Sequence, residues 1–464
     1  MDYDVLILGG GIIGCSVAYE LSKYNLNIAL IERGYDIVDD ISFVNTAVIY
    51  DGSESSNDTT ALLEKEGSEL IRDACKQFNV ECNKVGALRI AKNISEEEII
   101  DKMYNLAIKR GIEKVRLIEP SEVYNLEEAL RDIKVTKALY SENVSVINPY
   151  DLAIAYGEVA EDNGVNFRFQ EEVLNIEEIS KGFKVITNKN KFKCKVVINT
   201  IMDDSSLKSA NNINGKDATE NMTYLLIDDV IKNPLKKIVI EDIQEDSFLL
   251  NIPNLSQGSI IAIKNSDKLN KEEVLTYAKN IIPGISENNI INIFNQEING
   301  AMIIDYSDID EGYIRVTGNH YSKITLAPAI SKIICETISQ NLNTKLKKNF
   351  NNKRREVYRF TNMTDEERNK IIKVDKRYGN IVCVCNKVTE GEIIDCIRRP
   401  LGARTVEGIK KRTGAGMGSC YGSYCNTKII NILANEMNKK ATEIVHDSKN
   451  SNIWISRIKE FNEV

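Results

Sequence analysis

Asp4-Val5-Leu6-Ile7-Leu8-Gly9-Gly10-Gly11-Ile12-Ile13-Gly14 is the stretch that decides the fold. A short apolar run ends in G-x-G-x-x-G, and a helical pattern then carries on to Tyr24. A second apolar run, Ile28–Ile31, ends at Glu32. Strand, glycine turn, helix, strand and acid in that order form the fingerprint of a dinucleotide-binding sheet. Gly9 permits the tight turn, Gly11 lets the backbone approach a pyrophosphate, and Gly14 lets helix and sheet pack closely. The helix N-terminus offers amides and a partial positive charge to the phosphates. Glu32 is placed to accept hydrogen bonds from ribose hydroxyls and would repel a 2′-phosphate, which disfavours NADP. The motif alone does not separate FAD from NAD, but its position at the start of a long chain is the one flavoproteins use for the ADP half of FAD.

The 464 residues imply two or three domains. Hydrophobic and charged fractions of 42% and 28% are those of a globular protein. A formal charge of −8 argues against nucleic acid as a partner, because phosphate binding needs a basic face. No apolar run reaches the length of a membrane span, which leaves only peripheral association with a membrane open. No secretory signal is recognisable in the opening residues, so the cytoplasm is the expected compartment. Six of the ten cysteines (Cys15, Cys75, Cys82, Cys194, Cys335 and Cys396) are scattered mostly through apolar stretches and read as buried free thiols.

The other four are grouped: Cys383-x-Cys385, thirty-four intervening residues, then Cys420-x4-Cys425. Four thiolates in one short segment will hold a structural zinc or an iron–sulfur cluster. Zinc ribbons usually space each pair as C-x2-C, and neither pair does so here. Gly414, Gly416 and Gly418 let the backbone turn tightly so that amides face cluster sulfurs.

The text around these cysteines, Val388–Ile393, Thr405–Gly418 and Tyr421–Cys425, resembles the [2Fe–2S] module related to bacterioferritin-associated ferredoxin. The rest of the chain resembles the FAD-dependent D-amino-acid oxidase superfamily, nearest its anaerobic glycerol-3-phosphate dehydrogenase and 2-hydroxyglutarate oxidase branch. Asn45-Thr46-Ala47-Val48-Ile49, Gly86-Ala87-Leu88, Ile147–Leu152, Val196–Asn199, Thr325–Ala329 and Thr364–Arg368 carry that likeness. It implies an α/β fold: a Rossmann-like FAD domain from residues 1–75, 145–210 and 300–345, with an interleaved α+β substrate cap from 76–144 and 211–299. A linker at 346–375, the cluster module at 376–440 and a polar helical tail at 441–464 complete the expected order. Gly9, Gly11, Gly14, Glu32, Arg33, Asn45, Val173 and Thr325 are the expected FAD-binding residues, and Cys383, Cys385, Cys420 and Cys425 the cluster ligands.

The sequence also departs from the family. Thr200-Ile201-Met202-Asp203-Asp204 stands where relatives have small residues and a glycine, and Ser322-Lys323-Ile324 replaces a proline–glycine turn. Tyr50 stands where many relatives have a histidine beside the flavin. His320, in Thr317-Gly318-Asn319-His320-Tyr321, is the candidate base and Tyr50 a candidate substrate contact. The implied activity is oxidation of glycerol-3-phosphate or a related small anionic hydroxyacid, with electrons leaving through the cluster to a partner protein, a second subunit or a quinone. The alternative is a subunit whose flavin site has decayed, kept as scaffold and [2Fe–2S] relay.

Overall fold

A computed structural model describes residues 1–38, 46–201, 220–227, 234–244, 247–253, 259–299, 302–305, 312–418 and 420–456. The chain divides into two compact units, one of Met1–Asp40, Ala153–Val197 and Asn343–Val464, the other of Ile41–Leu152 and Ile198–Leu342.

In the first unit the strands follow the order Val173–Ile179, Gly182–Thr187, Lys191–Asn199, Tyr3–Leu8, Ile28–Ile31, Asn166–Arg168. Tyr3–Leu8 runs parallel to Ile28–Ile31 with Val5 opposite Ile28, and Ile28–Ile31 runs parallel to Asn166–Arg168. Leu6, Ile7 and Leu8 have no exposed surface. Continuous apolar runs of this kind mark a sheet covered on both faces, each such side chain contributing roughly 1.5–3 kcal/mol. The helix Ile12–Ser22 is buried at every residue but Glu20, which is why it reads apolar all round.

The cluster module lies in the same unit. A ribbon of Ile381–Cys383 and Val388–Thr389 precedes the helices Glu390–Arg398, Val406–Thr413 and Asn426–Met437. These elements close on a core that includes Val382, Ile393, Val406, Ile409, Ile429 and Leu433. Two buried ion-pair groups tie the module to the nucleotide-binding segments. Arg412 donates to both oxygens of Asp36 at 2.5 and 2.7 Å, and Glu158 accepts from Arg399 and Arg354 at 2.6 and 2.7 Å. The linker helix Asp365–Val374 starts at a capping box of Thr364 and Glu367.

The expected polar helical tail from residue 441 is corrected by the structure. Ala441 and Ile444 are buried in the module's core, and the described part of the tail holds only the 3-10 turn Ala441–Glu443. The amides of Val406 and Glu407 donate to the carbonyls of Val445 and His446, so this stretch closes the module.

The second unit is built on a sheet in the order Ile290–Ile298, Glu220–Ile227, Ser259–Asn265, Ser247–Pro253, Ile238–Gln244, Ala87–Ala91, Lys137–Ser141, Val115–Ile118. A smaller sheet joins Val48–Ile49, Ser145–Ile147 and Cys82–Lys84. Within this unit helix Asp58–Phe78 packs directly on helix Lys323–Asn341. A Cβ at Gly67 would lie 1.9 Å from the Thr325 carbonyl oxygen. The cluster module goes with the nucleotide-binding sheet through Asp36 and Glu158.

Candidate cofactor and substrate sites

Gly9 adopts φ +98°, a conformation open to glycine, at the turn from strand to helix. Gly11 is the N-cap of Ile12–Ser22, and the N-terminal end of that helix favours an anion through its dipole. Gly14 is buried within the helix. Gly10, not among the sequence candidates, proves to be a contact as well. Its amide donates to Glu32 Oε2 at 2.7 Å, and a Cβ there would meet that oxygen at 3.0 Å. The middle glycine of the run was the available signal. Glu32 Oε1 accepts from the Gly34 amide at 2.7 Å. The carboxylate is thus held half-buried at the strand end, with further acceptor positions for ribose hydroxyls.

The backbone of Glu32 exchanges hydrogen bonds with Arg168 and Glu171, and Val173 opens its strand two residues beyond. The Arg33 side chain is exposed. Asn45 and Met202–Asp204 lie outside the described residues. A helix N-terminus, a glycine turn and an oriented acid fit the ADP half of FAD.

In the second unit the Thr325 hydroxyl accepts from the Tyr50 amide at 3.2 Å and donates to the Val48 carbonyl at 3.3 Å. It pins the segment after Thr46 to the start of helix Lys323–Asn341, and Lys323 is buried in that first turn. Tyr50 is buried against Tyr321, their centroids 5.5 Å apart, and Tyr321 packs in turn on Phe248 and His320. The Tyr50 hydroxyl has no hydrogen-bond partner, and burial holds its pKa well above the ordinary value.

His320 Nδ1 accepts from the Ser322 amide at 3.2 Å and lies 2.7 Å from the Ser322 hydroxyl. Burial, then the charge of Lys264, push its pKa down to about 4. The neutral ring with an accepting Nδ1 carries its proton on Nε2, so it offers a donor there. Arg89 is buried between Glu54 and Asp242, which neutralise its charge.

Glu64 is the residue that sequence reasoning missed. It is 1% exposed on helix Asp58–Phe78, one turn before Gly67, and neither carboxylate oxygen has a hydrogen-bond partner. The Ser322 hydroxyl lies beside it without closing a well-formed bond. Burial first, then the charges of Asp51 and Glu54, push its pKa up to about 8, against a lowering by Arg110. The signal was an acid on the helix stripe Ala61, Glu64, Gly67, Ser68, Ile71, all of them buried.

At the C-terminal module Cys383 ends a strand and is buried, Cys385 is exposed, Cys420 is half-buried, and Cys425 is the buried N-cap of Asn426–Met437. Cys385 and Cys420 bring their sulfurs to 3.5 Å, and Cys425 lies near Cys383. The Cys385 thiol and the amides of Gly422, Ser423 and Tyr424 favour the thiolate of Cys420. A Cβ at Gly418 would meet Cys385 Cβ at 2.3 Å, so only glycine fits there. The four thiols come from two short stretches, Cys383–Cys385 and Cys420–Cys425, and Cys385 meets Cys420 across them. That donor set fits a two-iron cluster, in which each iron takes two protein thiolates.

Fold and sites together define a flavin-type oxidoreductase carrying a thiolate-held module. The family described as FAD dependent oxidoreductase matches residues 4–201, and the BFD-like [2Fe-2S] binding domain matches residues 381–435. A glycerol 3-phosphate dehydrogenase of Caloramator mitchellensis is 31% identical across 97% of this chain and 98% of that protein. A glycerol 3-phosphate oxidase of Mycoplasma genitalium is 26% identical across 75% of this chain and 96% of its own. The solved L-alpha-glycerophosphate oxidase of Mycoplasma pneumoniae superposes with a TM-score of 0.68 at 24% identity, over 77% of this chain and 99% of that one. L-proline dehydrogenase from P. horikoshii superposes at 0.64, with 19% identity, over 74% of this chain and 94% of that one.

The chain therefore belongs to the FAD dependent oxidoreductase family, with a BFD-like [2Fe–2S] domain at its C-terminal end. It is an FAD-dependent enzyme, and its cofactors are FAD and a [2Fe–2S] cluster. Among the described residues no helix is long and apolar enough to cross a membrane.

Proposed function

We propose that this chain oxidises glycerol 3-phosphate, or a closely related small anionic hydroxy compound, and delivers the electrons singly through its cluster to a partner protein or quinone. The observation that carries the reading is the near end-to-end likeness to the Caloramator glycerol 3-phosphate dehydrogenase, which spans both the flavin-binding and the cluster regions. Gly9, Gly10, Gly11, Gly14 and Glu32 would hold the ADP half of FAD, with Val173 and Arg33 nearby. Cys383, Cys385, Cys420 and Cys425 would hold the cluster. When bound, FAD supplies the two-electron oxidant, and the cluster supplies a one-electron outlet.

The chain's own task is to take the hydroxyl proton and orient the substrate. His320 presents a donor at Nε2 and suits a substrate oxygen better than a proton. Tyr50 is held protonated by burial and suits the same role. Glu64 ionises as pH rises through about 8, and neither of its oxygens makes a well-formed hydrogen bond, so in that range it is the group suited to accept the proton.

Anaerobically purified protein tests the reading. Flavin bands with a [2Fe–2S] shoulder should be bleached by glycerol 3-phosphate, whereas a flavin reduced only by another hydroxyacid would move the substrate assignment. Flavin that no small hydroxy compound bleaches would overturn it.

A further inference from the structure

Around the cluster thiols, the cysteine turns carry large side chains that the module's core does not take up. Val384, between Cys383 and Cys385, is 74% exposed. Tyr421 follows Cys420 and is 65% exposed, and Tyr424 precedes Cys425 and is 80% exposed. Met417 is exposed beside Gly418.

Close contacts hold the loops that carry these four side chains together. The Cys385 and Cys420 sulfurs are 3.5 Å apart, and the Asn386 side-chain amide donates to the Gly414 carbonyl at 2.7 Å. A Cβ at Gly418 would overlap Cys385, and one at Gly422 would meet the Asn426 side chain at 2.5 Å. Cys385 is itself exposed among them. Apolar and aromatic side chains left together in water mark a contact surface, and Tyr and Met are residue types enriched at the centre of such surfaces. The backbone points the same way. Tyr421 has φ +48° and Lys387 φ +52°, a conformation that strains residues with side chains and suits glycine. Strain of this kind is retained where function uses it.

The charge of these loops is opposite to that of the chain. Residues 376–389 and 408–435 contain no Asp or Glu, in a protein of formal charge −8. Lys387, two residues past Cys385, and Lys428, in the first turn of the helix that Cys425 caps, are both exposed. The acids nearest in sequence are engaged. Glu407 pairs with Lys410 at 3.5 Å and Glu436 with Arg398 at 2.7 Å. Glu390 is held by Asn380 at the end of the ribbon away from Cys385.

We propose that Val384, Met417, Tyr421 and Tyr424, with Lys387 and Lys428, form the docking face for an acidic one-electron carrier protein. This rests on the function proposed above only in needing the cluster as the outlet for electrons. The apolar side chains supply burial, and the two lysines supply orientation. A chain of net negative charge repels an acidic carrier elsewhere and accepts it here, which brings the carrier's redox centre to the Cys385–Cys420 side. Each docked carrier is reduced by one electron, so the two electrons of one hydroxyl oxidation leave in two successive dockings.

The test uses full-length holoprotein and two haem probes, an acidic b-type cytochrome and the basic cytochrome c. Calorimetric titration at low salt should show the acidic probe binding at least about tenfold tighter than the basic one, with the difference fading as salt screens it. Lys387→Glu/Lys428→Glu should reverse the preference. Tyr421→Gly removes a ring and relieves the left-handed strain, so its melting temperature and cluster absorption should hold. After reduction by dithionite, that variant should pass electrons to the acidic probe roughly tenfold more slowly than wild type in stopped flow. Dithionite loads the cluster without substrate, so failure of glycerol 3-phosphate to bleach the flavin counts against the substrate reading alone. Equal or absent binding of the two probes would overturn the docking face, as would Tyr421→Gly protein that reduces the acidic probe at the wild-type rate. Wild-type dimers that Tyr421→Gly converts to monomers would assign the face to a second copy of the chain and overturn it too.

Discussion

Replacing Glu64 by Gln removes a single proton-binding site from the interior and nearly conserves its shape. The wild-type carboxyl titrates at about 8 in the folded protein against an ordinary 4.5. The folded state therefore keeps a proton that the unfolded chain has released, and stability falls as pH rises from 4.5 through 8. Below 4.5 both states are protonated and the site costs nothing by this route. Integrating the linkage between pH 5 and pH 8 gives about 3 kcal/mol of lost stability, at about 1.36 kcal/mol for each pH unit in the window. Gln lacks the titration. Any cost of burying its unpartnered amide is independent of pH and appears as a constant offset.

Thermal unfolding of wild type and Glu64→Gln at both pH values is the assay. The variant's melting temperature relative to wild type should rise by about 6 °C from pH 5 to pH 8. Parallel curves would refute the buried, raised carboxyl. In turnover, the variant should retain its flavin spectrum and lose roughly 10²- to 10⁴-fold in kcat. Unchanged kcat would refute Glu64 as proton acceptor while leaving the stability argument intact.

Cys420→Ser should abolish the cluster's visible absorption and leave the flavin bands, as read in one anaerobic spectrum. Asp36→Ala leaves the buried Arg412 guanidinium without its carboxylate and should cost about 3–5 kcal/mol in urea unfolding, much of it recovered in the Asp36→Ala/Arg412→Met double variant. Gly67→Ala forces a methyl group onto the Thr325 carbonyl and should cost at least about 1–3 kcal/mol, with a lower melting temperature and weaker flavin retention.

The parts of this protein legible in its sequence are those whose geometry is local. The turn at Gly9–Gly11, the helix behind it and Glu32 at the next strand end follow from a glycine spacing and an apolar period, both set within about thirty residues. The C-x-C and C-x4-C pairs likewise define a thiolate site, although the sulfur contacts themselves join residues about thirty-five apart. The β-branched runs at Lys237–Ile243 and Ser259–Ile263 suit a half-buried pleated surface, and strands lie there at Ile238–Gln244 and Ser259–Asn265. The tail was misread for the converse reason. Its polar composition hid Ala441 and Ile444, two apolar residues that matter only once the module's core exists to receive them.

By itself, then, the sequence determined the nucleotide-binding start and the four grouped thiols. Tertiary structure decided which charges are buried and what they face. Asp36 meets Arg412 and Glu158 meets Arg399 across hundreds of residues, and no spacing rule reaches that far. Thr325 is reserved to tie down Tyr50, Arg89 is neutralised by Glu54 and Asp242, and His320 is set as a donor by Ser322. Glu64 lies in Leu63-Glu64-Lys65-Glu66, a run that reads as a solvated helix face. Only the packing of Gly67 on Thr325 turns that helix so that one of its acids leaves water, and desolvation then raises the carboxyl to about 8.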